Sequence, residues 1–330
     1  MTEKDALIEV KTYHSVAEIS SIEGFRNENP INKENYDRII GDYWFDDEVK
    51  CCFEKTNGNL CNEGHKRGYV ARLKDESVTI VGNVCARDKF GADAKIKADR
   101  SRYINEKRRL QRLETVKQLL SERNERLVAI SEIRNDLRKI SSDRDKFLEK
   151  VGPIINRKLI DMSRTGNTSV VITAVNLRKY IDEDGDSQVE RRTTQATIGH
   201  IEGVIIFNKI HFDSIYSVLG VVERIYERVS SISDDVKSSE LDHISSQLGK
   251  LDLAKTQARN LSNAAHAFFN SDLSLLCFIV GDKSERYKAA RVAMEQKDIF
   301  GGKERAKQWL NENEQILKNN LNADRLEVLG

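Results

Sequence analysis

The chain has 330 residues, of which 32% are charged, 39% are hydrophobic and 7% are aromatic, with only two prolines. This length is enough for two or more domains with substantial cores. High charge with few prolines and few aromatic residues argues against a β-rich globule and favours helical bundles or coiled coils. The formal net charge is only +1, so net charge alone indicates no partner.

The charge is distributed unevenly along the chain. Residues 1–50 carry six Lys or Arg against twelve Asp or Glu, whereas residues 51–112 carry fifteen against eight. A basic segment that follows an acidic one fits contact with nucleic acid, contact between the two segments, or plain solvation.

Location is inferred from what the sequence lacks. The first residues, MTEKDALIEV, have neither the basic region nor the apolar core of a signal peptide. The longest apolar run, near Leu273–Val280, is much shorter than the ~20 residues that span a bilayer. We therefore expect a cytoplasmic protein with no membrane contact, in which clustered cysteines are metal ligands rather than disulfides. Cys277 stands alone in the apolar run and is interpreted as a buried core thiol.

The N-terminal third is predicted to contain short strands. Ala6–Tyr13 is interpreted as a short strand, and Tyr36–Trp44 as an aromatic patch that packs against the segment after it. Gly68–Leu73 and Ser77–Gly82 alternate and are rich in strand formers, which predicts a β-hairpin. Asn83 then offers a helix N-cap and places Cys85 in the first turn of a helix.

Four of the five cysteines fall within residues 51–91, together with His65. A structural zinc site takes four Cys or His ligands, and the predicted set is Cys52, Cys61, His65 and Cys85. Cys51 is the alternative to Cys52, because adjacent residues of an extended chain point in opposite directions. The competing interpretation is ordinary buried cysteines with a surface histidine. A catalytic zinc is disfavoured because no His-x-Glu pairing accompanies the cysteines.

The predicted order of loop ligands, hairpin and a ligand at a helix start resembles the treble-clef family of zinc fingers, over residues 51–95 only. The resemblance implies a structural Zn²⁺ in a β-hairpin module. The sequence departs from the family pattern, because it has no Cys-x2-Cys knuckle and no second ligand in the helix, where Asp88 and Lys89 follow Cys85.

A long helix is predicted from Ala92 to Val151, a stretch without proline or glycine. Its apolar residues recur at spacings of three, four or seven, with a stutter near residues 127–133. So long an amphipathic helix needs a partner, which is either another chain or a later helix, and 236–271 is the best intrachain choice. Gly152 and Pro153 end it.

The first part of this helix is strongly basic. Lys97, Arg100, Arg108 and Arg112 are predicted to contact nucleic-acid phosphates. The alternative is a solvated helix exterior, which is common in long coiled coils.

The remaining chain is predicted to be a small β-element within helices. Motifs for phosphate-binding loops, dinucleotide binding and nucleophile elbows are absent from the sequence. His200, His211 and the acidic loop with Asp182, Asp184 and Asp186 are judged structural or solvated rather than catalytic or calcium-binding. The predicted segments are strands Thr168–Leu177 and Thr197–Phe207, a loop at Asp182–Gln188, helices at Phe212–Val229, 236–271, Lys283–Lys297 and Lys303–Asn320, and an ambiguous Leu273–Val280.

These predictions combine into an α+β, mostly helical protein. It has a zinc-stabilised β-hairpin module (1–91), a long basic coiled-coil helix (92–152), a small α+β unit (153–235) and C-terminal helices (236–330). The predicted function is recognition and scaffolding, in which the zinc module contacts DNA, RNA or a protein partner and the coiled coil makes a homo-oligomer. The alternative is a nuclease-like effector with its active site in 154–235.

Overall fold

The computed structural model describes residues 10–89, 94–181, 183 and 186–328. The chain folds into two compact units. Unit 1 comprises Met1–Gln118 with Ile232–Ser245, and unit 2 comprises Leu119–Ser231 with Ser246–Gly330. This division differs from the four predicted sequence domains, because segments far apart in sequence pack together. The chain is α+β, with many helices and two small sheets.

Unit 1 is built on a four-stranded sheet of order β1-β2-β3-β4. Strand β1 is parallel to β2, and the other neighbours are antiparallel. The β3–β4 pair is a hairpin at the predicted place, whereas the strand predicted over Ala6–Tyr13 is seen only at its end, since residues 1–9 lie outside the described residues. The strands are β1 Thr12–Tyr13, β2 Tyr36–Lys50, β3 Gly64–Leu73 and β4 Val78–Gly82, and a short helix α1 is Val16–Ser20.

The long predicted helix is two helices. Helix α2 is Ala94–Ser121 and helix α3 is Arg123–Val151, with a break at Glu122, before the predicted stutter. The predicted helical start after Asn83 is a π-helical turn, Cys85–Lys89. Gly152, at φ 88°, ends α3 as expected, and Pro153 opens helix α4, Pro153–Thr165.

Tyr103 anchors α2 to the sheet of unit 1. Its ring is buried edge-on to Tyr69 at 6.2 Å between centroids. Its hydroxyl donates to the Lys11 carbonyl at 3.0 Å. Lys107, one turn later on the same side, pairs with the Asp42 carboxylate and donates to a β1 side chain. This side of α2 is therefore directed at protein.

In unit 2 the apolar face of α3 is covered by two helices of the same chain. Arg134 pairs with Glu223 of α5 at 2.6 Å. Phe147 meets Phe268 of α6 edge-on, with centroids 5.0 Å apart. Of the two partners left open by the sequence, another chain or a later helix, α3 has later helices of the same chain against it, while a supercoiled coiled-coil geometry stays a prediction. The two covering helices are α5 Lys209–Arg228 and α6 Ser238–Asn270.

The remainder of unit 2 is a three-stranded sheet of order β6-β5-β7 with short helices. The strand predicted over Thr197–Phe207 ends instead at His200, because Gly203 takes a positive φ of 68° and starts a 3-10 helix. The ambiguous apolar run is also a 3-10 helix. The elements are strands β5 Ser169–Ile181, β6 Ser187–His200 and β7 Arg325–Val328, 3-10 helices Val204–Phe207 and Leu273–Phe278, and helices α7 Lys283–Gln296 and α8 Lys303–Leu321.

Among the described residues, no helix is both long enough and apolar enough to cross a bilayer.

We expect Leu137→Ala in α3 to lower the free energy of unfolding of unit 2 by about 2–5 kcal/mol, because Leu137 is fully buried. The matched control is Val128→Ala on the same helix, whose side chain is exposed and should cost less than about 0.5 kcal/mol. Urea unfolding in a Trp44→Phe background would follow Trp309, the only remaining tryptophan, which lies buried in unit 2. Equal costs for the two variants would contradict the assigned core.

Candidate metal centre

Three buried thiols converge in unit 1. The Sγ atoms of Cys51, Cys61 and Cys85 all lie within 4.8 Å of one another, and Cys61 and Cys85 are 3.6 Å apart. A tetrahedral zinc with Zn–S bonds of ~2.3 Å holds its sulfur ligands about 3.8 Å apart. All three cysteines are free and buried. The group can therefore hold a metal ion.

The sheet brings these residues together from three segments. Cys51 directly follows β2, and its amide bonds to the Glu63 carbonyl at 3.1 Å. Cys61 lies in the loop before β3, with its amide bonded to the Phe53 carbonyl at 2.7 Å. Cys85 opens the π-helical turn that follows β4. Backbone hydrogen bonds thus fix the positions of Cys51 and Cys61.

Cys52, predicted as a ligand ahead of Cys51, points elsewhere. Its thiol contacts the Lys50 carbonyl at 3.9 Å and it is not part of the thiol group found among the described residues. Its amide bonds to Ile80 of β4 at 3.3 Å. Cys51 and Cys52 therefore take opposite directions, and it is the alternative, Cys51, that joins Cys61 and Cys85.

His65 lies beside the thiols with one ring nitrogen in use. Its Nδ1 is 3.0 Å from the Tyr43 hydroxyl. Its Nε2 is shielded from solvent and has no hydrogen-bond partner among the described residues. A Cβ on Gly82 would lie 2.7 Å from Cδ2 of this ring, and the Gly82 amide donates to Cys51 Sγ at 3.5 Å. A buried polar atom without a partner is costly, so an acceptor lone pair on Nε2 directed at a metal would explain this placement.

His65 is nevertheless outside the group whose ligand atoms are mutually within 4.8 Å. The predicted four-residue set is thus brought together in part: Cys61 and Cys85 are adjacent, His65 is near, and Cys52 is replaced by Cys51.

Lys89 is a further residue of the site, which the pattern of cysteines and histidine does not identify. Its ammonium donates to Cys61 Sγ at 3.2 Å and lies 3.6 Å from the Glu63 carboxylate. Lys89 occupies the position one helical turn after Cys85, where a treble clef would have its second helical ligand. The signal in the sequence was the four-residue spacing of Cys85 and Lys89.

The thiols have opposing pKa shifts. Burial, followed by the charge of Cys51, raises the pKa of Cys85 to about 12. Burial also raises the pKa of Cys61, but hydrogen bonds from the Glu63 amide and from Lys89 outweigh it, so this pKa lies below its ordinary value. Burial lowers the pKa of His65, which keeps the imidazole neutral. A divalent cation would supply the charge that all three thiolates need.

The predicted phosphate contacts on α2 are in different environments. Lys97 and Arg108 are exposed and form no ion pair with any residue that the structure describes. Arg112 pairs with Asp242 at 2.8 Å. Arg100 is half-buried, and its Nε lacks a hydrogen-bond partner among residues 10–89, 94–181, 183 and 186–328.

Trp44 is a second residue whose environment the sequence does not predict. The predicted aromatic patch sends Tyr36 and Tyr43 into the core, but Trp44 is 57% exposed. Arg67, its neighbour in the β2–β3 register, stacks on the indole with its guanidinium carbon 3.7 Å from the ring centroid. Alternation along β2 places Trp44 opposite to Tyr43, which is the signal that could have found it.

The residues judged non-catalytic form no catalytic constellation in the described parts of the chain. His200 Nδ1 is 3.4 Å from the Ser169 hydroxyl, but both residues lie near the surface and no carboxylate bonds to the imidazole in that part of the chain. Of the acidic loop, Asp182 and Asp184 lie outside the described residues.

Comparison with known proteins identifies no relative: no family model matches the chain, and no curated protein or solved structure matches it.

We expect protein purified without chelator to contain about one metal ion per chain, and Cys51→Ser, Cys61→Ser or Cys85→Ser to lower this below about a tenth, because each removes a thiolate from a cluster of three. Cys52→Ser and Cys277→Ser are matched controls that should keep the metal. Elemental mass spectrometry measures the content. Loss of metal in Cys52→Ser with retention in Cys51→Ser would reverse the assignment.

We expect His65→Ala to weaken metal affinity by about 10–100-fold and Tyr43→Phe by about tenfold, because a ligand and the group that orients it are lost. His200→Ala, an exposed histidine outside unit 1, is the control. Competition with a chromophoric chelator measures the affinities. Unchanged affinity in His65→Ala would remove this residue from the ligand set.

Proposed function

We propose that unit 1 is a structural zinc module that binds nucleic acid, carried by the helical scaffold of unit 2. The observation that supports nucleic-acid binding best is the pair of exposed cations on α2, Lys97 and Arg108, which have no ion-pair partner among the described residues.

The ligand chemistry favours zinc. Thiolate and imidazole ligands suit Zn²⁺, whereas Ca²⁺ and Mg²⁺ prefer oxygen. The set we propose is Cys51, Cys61, Cys85 and His65. Three thiolates, one neutral imidazole and Zn²⁺ carry a net charge of −1, and the Lys89 ammonium beside Cys61 would neutralise it. With Cys52 in place of His65 the charge would be −2, which one lysine cannot balance.

The proposed role of the zinc is structural. Four protein ligands leave no open position for substrate or activated water. The ion would join the end of β2, the loop before β3 and the segment that leads from β4 towards α2. It would thereby stabilise the sheet to which Tyr103 anchors the basic helix.

The geometry of α2 is suited to phosphate contact. At 100° per residue, Lys97 and Arg108 are about 20° apart around the helix axis and about 120–140° from Tyr103. Arg112 lies within about 60° of Lys97 but is held by Asp242, so we expect it to contribute less. Arg100 borders the same surface from a half-buried position.

Trp44 and Arg67 supply a second kind of contact. An exposed indole with a stacked guanidinium offers a flat surface on which an unpaired base can stack, and such stacking tolerates any base. This observation favours single-stranded nucleic acid over duplex as the ligand of unit 1.

The homo-oligomer, a protein partner and a cytoplasmic location are also proposals. The α3–α5–α6 packing supports a scaffold role for unit 2, because three long helices form an extended apolar core within one chain. A nuclease-like active site in 154–235 gains no support from the described residues.

We expect Lys97→Glu with Arg108→Glu to weaken binding to single-stranded oligonucleotides and to lower the magnitude of the salt slope by about two, one for each lost phosphate contact. Trp44→Ala should weaken binding by about 1–3 kcal/mol with an unchanged slope, because stacking releases no counterions. Fluorescence anisotropy between 50 and 200 mM salt, about the range over which such contacts are lost, measures both.

The matched control is Lys146→Glu with Lys209→Glu, which makes the same charge change at exposed positions of unit 2. A slope that falls equally in this control would show non-specific attraction. Undiminished affinity in the α2 double variant, with a normal metal content, would rule out this surface as the contact.

A further inference from the structure

An acidic segment of unit 1, residues 232–242, lies against the basic helix α2. The segment carries four Asp or Glu against one Lys and includes the start of α6. Two ion pairs join it to α2. Arg112 Nε lies 2.8 Å from the Asp242 carboxylate, and Lys117 Nζ lies 2.6 Å from the Asp234 carboxylate. Carboxylates of the same chain therefore occupy two cations of the helix that we propose to contact nucleic acid.

The acidic segment is fixed in place by contacts other than these ion pairs. The Arg109 guanidinium donates to the main-chain carbonyls of Asp234 at 2.7 Å and of Val236 at 3.4 Å. Leu241 and Ile244, in the first turns of α6, are buried. Because these contacts use neutral backbone and apolar side chains, they persist when a single carboxylate leaves its cation. Opening one ion pair is therefore a local event that leaves the segment on the helix.

The two paired cations lie on different sides of α2. At 100° and 1.5 Å per residue, Arg112 is about 40° around the axis from Arg108 and about 6 Å further along it. It therefore borders the surface that carries the exposed cations Lys97 and Arg108. Lys117 is nine residues from Arg108, which places it about 180° away, on the opposite side of the helix. Of the two cations held by the acidic segment, only Arg112 adjoins the proposed phosphate contacts.

The ion pair between Arg112 and Asp242 is weak enough to be displaced. The two side chains are 43% and 50% exposed, and exposed pairs of this kind contribute little stability because water and salt screen them. While the pair is closed, the carboxylate offsets the charge of the guanidinium and repels a phosphate that approaches it. A nucleic acid at this surface therefore competes with Asp242 for the same cation.

We propose that Asp242 is an autoinhibitory contact of the nucleic-acid surface on α2. Its carboxylate occupies Arg112, and a strand must displace it before Arg112 can join Lys97 and Arg108 as a third phosphate contact. The acidic segment thereby limits the affinity of unit 1 for single-stranded nucleic acid. Asp234 makes the same kind of ion pair on the opposite side of the helix, where it does not affect this surface. The inference rests on the proposed function and concerns the regulation of that site.

Asp242→Asn on the full chain tests the contact, by fluorescence anisotropy of a labelled single-stranded oligonucleotide between about 50 and 200 mM salt. We expect this variant to bind about three- to fivefold more tightly at the lower salt, because an exposed carboxylate no longer competes for Arg112. The salt slope should become steeper by about 0.7, the value for one additional phosphate contact on a single strand. Asp234→Asn is the matched control, because it removes the same charge from the same segment. It should change the affinity less than about twofold.

Arg112→Gln identifies the cation that Asp242 occupies. This substitution should cost at least about threefold more affinity in the Asp242→Asn background than in the wild type, because Arg112 is free only there. The proposal is overturned if Asp242→Asn gives no gain, if Asp234→Asn gives an equal gain, or if Arg112→Gln costs the same in both backgrounds. Loss of binding in Lys97→Glu with Arg108→Glu, without a response to Asp242→Asn, would overturn the autoinhibition alone. A wild-type chain that binds no oligonucleotide would overturn the proposed function as well.

Discussion

The convergence of three buried sulfur atoms, those of Cys51, Cys61 and Cys85, is the constraint around which unit 1 is arranged. The sheet has four strands, one of them only two residues long, and a small core supplies little stability by itself. Cys51, Cys61 and Cys85 come from three segments, which are the end of β2, the loop before β3 and the turn after β4. A metal that binds all three would connect those segments with bonds that do not depend on buried area. The sheet, in turn, holds one side of α2 through Tyr103 and Lys107.

The same site is electrostatically unfavourable when its thiols are ionised. Thiolates buried without a cation are unfavourable, and the raised pKa of Cys85 reflects this cost. Lys89 relieves part of it at Cys61, but one ammonium cannot balance three thiolates. A divalent cation between the sulfurs, with Lys89 outside them, would supply the missing positive charge. In the ligand set that we propose, His65 would take the fourth position, because its neutral imidazole adds no charge and its other nitrogen already contacts the Tyr43 hydroxyl.

Sequence patterns are enough to predict the elements that have strong periodicity. They are not enough to predict the direction in which an individual side chain points. The β3–β4 hairpin and the helices α5 to α8 lie close to their predicted bounds, since local patterns determine them. The choice between Cys51 and Cys52 is not decidable from the sequence, because the β2–β3 register shifts between Trp44 and Val49, and a shift of one residue reverses every later side chain. The role of Lys89 cannot be predicted from the sequence, because only the fold brings Lys89 and Cys61 together.

The β5–β6 hairpin shows the same limit on a larger scale. The sequence predicts residues 182–188 as a loop between strands, and Leu177 as the last residue of the strand before it. Whether Leu177 is covered depends on where β7 ends, and β7 arrives from about 150 residues further along the chain, pairing only as far as Val175. Local alternation predicts that one face is apolar, but only the distant strand decides that this face stays open. Long-range topology, rather than the local pattern, therefore leaves this face exposed.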